Sequence, residues 1–146
     1  MNNRNLRSII CLIASLISLP MPSSPSHQEA LGLWAAVSVS EPEFQEGWTK
    51  QLVMSFSLVN DGTKVVDPKV ESWRLVINGG EAADSGFIFG NGPRDARWKA
   101  LPAGDSLRFA YAMGRYFKEP GIYRVSWKGE GFETLPIEFR VMPGKK

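Results

Sequence analysis

The chain has one cysteine, Cys11, and one histidine, His27, both close to the N-terminus. A lone cysteine excludes a disulfide framework within the chain and any thiolate metal site. A Ser-His-Asp arrangement would have to recruit His27 from a stretch rich in Pro and Ser, where nothing holds an imidazole in place. No apolar run reaches the roughly 20 residues that a membrane-spanning helix needs. No charge of one sign prevails either: 17 Lys and Arg stand against 15 Asp and Glu. Setting aside Arg4 and Arg7 leaves 15 against 15, about neutral. A nucleic-acid binder normally shows a clearly basic face, so that class is not expected. Convincing helical periodicity is also missing.

What is present at the N-terminus reads as an export leader. Residues 1–7 carry two arginines and no acid, residues 8–19 are small or apolar, and Pro20 follows. That is the basic and apolar succession of a secretory signal peptide, assigned to residues 1–26, with a retained anchor helix as the alternative. Small residues at Ser24 and Ser26 suit cleavage before His27, and a cut after Ala30 also fits. Cys11 lies inside the apolar run behind Ile10, a poor setting for lipid attachment, so it leaves with the leader. Residues 27–32 form a flexible lead-in, 33–142 a single domain and 143–146 a tail. The expected location is secreted or periplasmic, with no membrane span once the leader is removed.

The rest of the chain alternates with period two. Leu52, Met54, Phe56 and Leu58 alternate with Val53, Ser55, Ser57 and Val59, the clearest strand in the sequence. Leu33, Ala35, Val37 and Val39 share a face of a first strand, and Glu41-Pro42-Glu43 ends it, with Phe44 or Trp48 tucked in behind. Residues 64–67 allow a short strand. Trp73, Leu75 and Ile77 point inward ahead of Asn78-Gly79, whose residues accept the left-handed conformation of a tight hairpin. Residues 87–89 read as a short strand, and 90–100 as a long irregular loop. Leu107, Phe109, Tyr111 and Met113 line the next strand. Pro120-Gly121 then launches the strand around which the others gather, with Tyr123, Val125 and Trp127 on one face. Leu135, Ile137, Phe139 and Val141 close the domain from a strand over 134–141, at a sheet edge near Pro136, which cannot donate to a ladder. Short strands separated by turns predict an all-β, immunoglobulin-like antiparallel β-sandwich of about seven strands. A closed barrel is the alternative.

Four segments carry a family likeness: Met54-Ser55-Phe56-Ser57-Leu58-Val59-Asn60, Trp73-Arg74-Leu75-Val76-Ile77, Leu101-Pro102-Ala103-Gly104-Asp105 and Pro120-Gly121-Ile122-Tyr123. In order and spacing they resemble the bacterial BsuPI-type proteinase-inhibitor domain and, more broadly, immunoglobulin-like modules of secreted bacterial proteins. The resemblance implies a β-sandwich in which Tyr123 is a corner residue whose hydroxyl ties back to nearby backbone. It also raises inhibition of a protease as an activity.

No constellation of catalytic type stands out, so an enzyme is not expected, nor a cofactor or a metal. Glu41, Glu43 and Glu46 read as solvated loop acids, and Asp61 and Asp105 as turn residues that bond their own backbone. The segment with binding character is Pro93-Arg94-Asp95-Ala96-Arg97-Trp98-Lys99. Trp and Arg dominate binding hot spots, and loops on rigid β scaffolds carry function. Arg94, Arg97 and Trp98 are therefore the candidate binding residues, set against the plainer reading that Trp98 caps the core and the arginines are solvated. Arg115-Tyr116-Phe117-Lys118 is a second cluster of the same kind. The expected function is an exported, non-catalytic module that binds a protein or carbohydrate through loops at one end of the sandwich. Alternatives are an extracellular protease inhibitor, with Arg94 or Arg97 as the trapped side chain, and a structural accessory of an envelope assembly.

Overall fold

The computed structural model describes residues 32–92 and 94–144. The leader assignment over residues 1–26 and nearly all of the lead-in lie outside them. In chain order the described residues form β1 (Leu33–Val39), β2 (Glu43–Gln45), β3 (Val53–Asn60), β4 (Arg74–Ile77), β5 (Gly80–Glu81), α1 (Ser85–Gly90), β6 (Ser106–Ala112), β7 (Gly121–Gly129), β8 (Phe132–Glu133) and β9 (Ile137–Met142). They make two sheets. One runs β1-β3-β6; the other runs β2-β9-β7-β4-β5, with β8 paired to β7. Both sheets keep free edges, so the barrel alternative is not formed.

The period-two pattern explains how the sheets meet. Met54, Phe56 and Leu58 of β3 and Leu107 of β6 are buried from one side, and Leu75, Val125, Trp127, Phe139 and Val141 from the other. Rings interlock across the gap: Phe56 lies edge-on to Trp127 at 5.3 Å, and Trp73 stacks on Phe109 at 5.6 Å. Burying each large apolar side chain contributes about 1.5–3 kcal/mol, and this shared aromatic layer is the main bond between the sheets. The Tyr123 hydroxyl donates to the Glu119 carbonyl at 2.8 Å, the tie expected of it. Asn78 (φ 50°) and Gly79 (φ 87°) turn the β4-β5 hairpin as their sequence dictates.

Four local expectations need correction. Residues 87–89 are not a strand. They belong to α1, because Ser85 and Phe89, one helical turn apart, are both fully buried while Phe87 between them faces outward. Ser85 fixes the helix start: its hydroxyl donates to the Ala82 carbonyl (2.9 Å) and accepts from the Leu75 amide (3.1 Å), a β4 donor with no strand beyond it. The strand proposed over 134–141 starts only at Ile137, as β9, and residues 134–136 break the chain between it and β8. Lys128 faces Glu133, and an unbroken register would set Val125 against Pro136, but Val125 faces Ile137. That one-residue slip reverses which side chains point inward. Thr134 is buried and Leu135, expected in the core, is 54 % exposed. The sheets are not wholly antiparallel, since β2 runs parallel to β9 after the chain crosses from one sheet to the other through Ser40–Pro42. Residues 64–67 form only an isolated bridge, Val66 to Leu101. Of the two residues considered behind β1, Phe44 is buried and Trp48 is exposed.

Candidate interaction surface

The end of the framework that carries α1 and residues 94–98 is built on Trp73. Its ring meets Phe89 of α1 at 5.8 Å and Trp98 at 5.8 Å, and its indole N–H donates to the buried Pro68 carbonyl at 2.9 Å. A core residue tied at both ends is a rigid seat for the segments above it.

Of the three candidate residues, Arg94 and Trp98 meet, and Arg97 turns to other partners. Asp95 starts a 3-10 turn over Ala96–Trp98, with its carboxylate accepting from the Arg97 amide at 2.9 Å. The Arg97 side chain forks back onto the same carboxylate, Nε at 3.2 and 3.1 Å and Nη2 at 2.7 Å. Its Nη1 reaches the Ser106 carbonyl at 3.3 Å and lies 3.6 Å from Asp105. Hydrogen bonding from Arg97 holds the Asp95 carboxyl below its ordinary value, and Asp95 in turn raises Arg97. Arg97 is therefore a loop anchor whose donors are already engaged. Trp98 is half-buried against Trp73 and against Phe109 at 5.1 Å, and the Arg94 guanidinium lies 4.8 Å over its ring. The loop thus carries an Arg94–Trp98 pair, a cation held on an aromatic face. In the second cluster, Phe117 is fully buried, and Arg115 both covers the Tyr116 ring at 4.8 Å and donates to its hydroxyl at 2.7 Å.

A groove of about 670 Å³ lies between α1 and strands β4 and β5, lined by Glu71, Arg74, Glu81, Asp84, Phe87 and Asn91 among others. Phe87 stands at its rim, 71 % exposed. Gly86 allows Arg74 to lie against the helix: a Cβ there would sit 2.9 Å from the Arg74 Nη1. That nitrogen donates to the carbonyls of Glu71 (2.9 Å) and Trp73 (2.7 Å). Glu81 is neutralised by Lys128 at 2.7 Å, which lowers the Glu81 carboxyl from its ordinary value. An open apolar ring with a fixed cation and carboxylates around it can stack on a flat partner and hydrogen-bond its polar edge. Among the described residues no cluster of three or more His, Cys, Asp or Glu is grouped to hold a metal ion.

No family model matches the chain, and no curated protein matches it. Solved structures do. A β-glucosidase from Listeria innocua in complex with glucose aligns with a TM-score of 0.46 at 12% identity, over 78% of this chain and 17% of that one. A mutant of the same enzyme in complex with laminaribiose aligns with a TM-score of 0.44 at 12% identity and the same coverage. The chain thus spans about a sixth of the length of either enzyme.

Sequence reasoning passed over Phe87 because Phe87-Ile88-Phe89 reads as three residues of a strand, with Phe87 and Phe89 on one face. The signal that distinguishes the helix is the four-residue spacing of Ser85 and Phe89, the two positions that point inward.

Proposed function

We propose that the chain is an exported, non-catalytic interaction module, an immunoglobulin-like domain of the BsuPI-type kind, acting in the periplasm or outside the cell. It engages a protein or carbohydrate through the end that carries α1 and residues 94–98. The observation that carries this reading is Phe87, an aromatic ring left largely in water at the rim of a groove, together with the Arg94–Trp98 pair further along the chain. Aromatic and arginine side chains supply most of the energy at binding surfaces, and here both kinds follow one another within fourteen residues of chain seated on one core tryptophan. An inhibitor that presents Arg97 to a protease cleft is less well supported, because that guanidinium is folded back onto Asp95.

The test is quantitative capture from the envelope and medium of an expressing host, comparing the unaltered chain with a Phe87→Ala, Arg94→Ala, Trp98→Ala variant. A partner or glycan held by the former and lost by the latter supports the reading. A set of bound molecules unchanged by the three substitutions removes this end of the molecule from consideration.

A further inference from the structure

β1 is a sheet edge that carries no charge, proline or break of its own, with residues 132–137 across a groove from it. Its register with β3 sets Leu33 against Asn60 and Val39 against Met54. The flanking bonds, Asp61 amide to Gly32 carbonyl and Ser40 amide to Val53 carbonyl, show that the even-numbered residues exchange hydrogen bonds with β3. In an antiparallel ladder the alternate residues then point their N–H and C=O groups away. Those of Leu33, Ala35 and Val37 face outward, and among the described residues no backbone partner meets them. They open onto a groove of about 190 Å³ between β1 and residues 132–137, with Leu135 exposed on its far wall.

Natural sheets blunt such edges with charge, brevity or cover. β6 carries Arg108, and Arg97 donates to its Ser106 carbonyl. β2 is three residues long and bears Glu43, and β5 is two residues long with Glu81 paired to Lys128. β1 is seven residues, Leu-Trp-Ala-Ala-Val-Ser-Val, with no charge, no proline and an unbroken register.

We infer that β1 pairs antiparallel with β1 of a second copy of this chain, about a two-fold axis through Ala35, joining the two three-stranded sheets into one of six. The occupant follows from the strand itself. With Ala35 opposite Ala35, Leu33 faces Val37 of the second copy, and the three outward residues exchange up to about six backbone hydrogen bonds. The same register sets Trp34 against Ala36 of the second copy on the outer face, twice by symmetry, so a large ring meets a small side chain at a closely spaced pair. A strand with no charge meets no like charge on pairing with itself. Residues 20–25 are a poorer occupant, since Pro20, Pro22 and Pro25 lack the amide donors a ladder needs. An isologous contact of this kind closes at two copies and leaves no further β1 edge exposed.

Sedimentation equilibrium and light scattering on the full chain test this, together with Ala35→Pro and Ala36→Lys. Ala35→Pro removes an outward amide that the single copy does not use, and Ala36→Lys places two like charges beside the axis. Ala110→Pro, on the outward side of the β6 edge, is the control. Expected are a concentration-dependent dimer for the unaltered chain and for Ala110→Pro, at least tenfold weaker association for both β1 variants, and unchanged circular dichroism in dilute solution. In a mixed-label sample, isotope-filtered NMR shows contacts between Trp34 of one copy and Ala36 of the other. A chain monomeric to millimolar concentration overturns the inference, as does a dimer that both β1 variants leave intact. Because neither β1 variant touches α1 or residues 94–98, loss of the dimer with ligand capture retained separates this inference from the proposed function.

Discussion

Asn60 is a buried polar residue that ties two turns together, and its removal can be worked through from its partners. It is fully buried at the end of β3. Its side-chain amide donates to the Lys64 carbonyl at 2.7 Å and to the Leu101 carbonyl at 2.9 Å, and its side-chain oxygen accepts from the Gly62 amide at 3.1 Å. Its backbone amide donates to Asp105 and its carbonyl accepts from Gly104. One side chain thus closes the turn after β3 and fastens it to the turn before β6. Asn60→Ala leaves the buried Leu101 carbonyl with the Val66 amide as its remaining donor, a loss of about 0.5–1.5 kcal/mol. The part-buried groups at Gly62 and Lys64 regain water and lose about 0.5–1 kcal/mol each. The expected sum is about 1.5–3.5 kcal/mol, a sizeable share of the roughly 5–15 kcal/mol that holds a domain folded, and about 5–15 °C in melting temperature. Urea unfolding followed by tryptophan fluorescence measures it, with a lower midpoint and an unchanged slope. Asn60→Asp should cost more, since it discards both donors and faces a carboxylate toward two carbonyls. An Asn60→Ala chain within about 0.5 kcal/mol of the original would refute the reasoning.

Other outcomes follow from single contacts. Trp73→Phe removes the donor that satisfies the Pro68 carbonyl, whereas the buried Trp127 indole N–H has no partner among the described residues, so Trp73→Phe should cost about 1–3 kcal/mol more than Trp127→Phe in the same unfolding assay. Gly114→Ala drives a Cβ into the Thr49 carbonyl, a backbone atom that cannot step aside, and should lower stability by about 1–3 kcal/mol or more, read as a lower thermal midpoint by circular dichroism. Asp95 has its carboxyl lowered by Arg97, so the stabilising pair is complete above the ordinary Asp value near 4 and is lost as pH falls through the lowered folded value. The Arg97 Nε–H resonance should accordingly stay constant from about pH 5 to 8 and move only below about pH 4, a transition that Asp95→Asn abolishes. Phe87→Ala should leave stability within about 0.5 kcal/mol, because that ring is mostly in water.

Much of this architecture is legible in the residues. Met54, Phe56 and Leu58 give β3 its inward face without ambiguity, Asn78-Gly79 names its own hairpin, and Tyr123 after Pro120-Gly121 makes the tie expected of it. Where reading failed, a tertiary bond outweighed local pattern. The greasy triplet 87–89 has strand composition, yet the Ser85 hydroxyl, engaged with Leu75 and Ala82, starts a helix there. Thr134 clasps Trp127 from both sides, its amide donating to the Trp127 carbonyl and its hydroxyl accepting from the Trp127 amide, each at 2.9 Å, and the register slips just beyond it. Leu135 lands in water as a result. In the candidate loop Arg94 and Trp98 meet, while Arg97 turns to Asp95 and Asp105. That division of labour was not legible, because whether Arg97 reaches outward or folds back on Asp95 depends on the 3-10 turn between them.

The most direct test of the proposed role is an NMR footprint of the bound ligand on the isotope-labelled chain. Titrating in the captured protein or glycan should perturb amide and side-chain resonances of Arg74, Phe87, Arg94 and Trp98, and leave Ser55, Ser57 and Ala110 on the outer face of the three-stranded sheet unmoved. Perturbations centred on that outer face, with Phe87 and Trp98 unchanged, would contradict it.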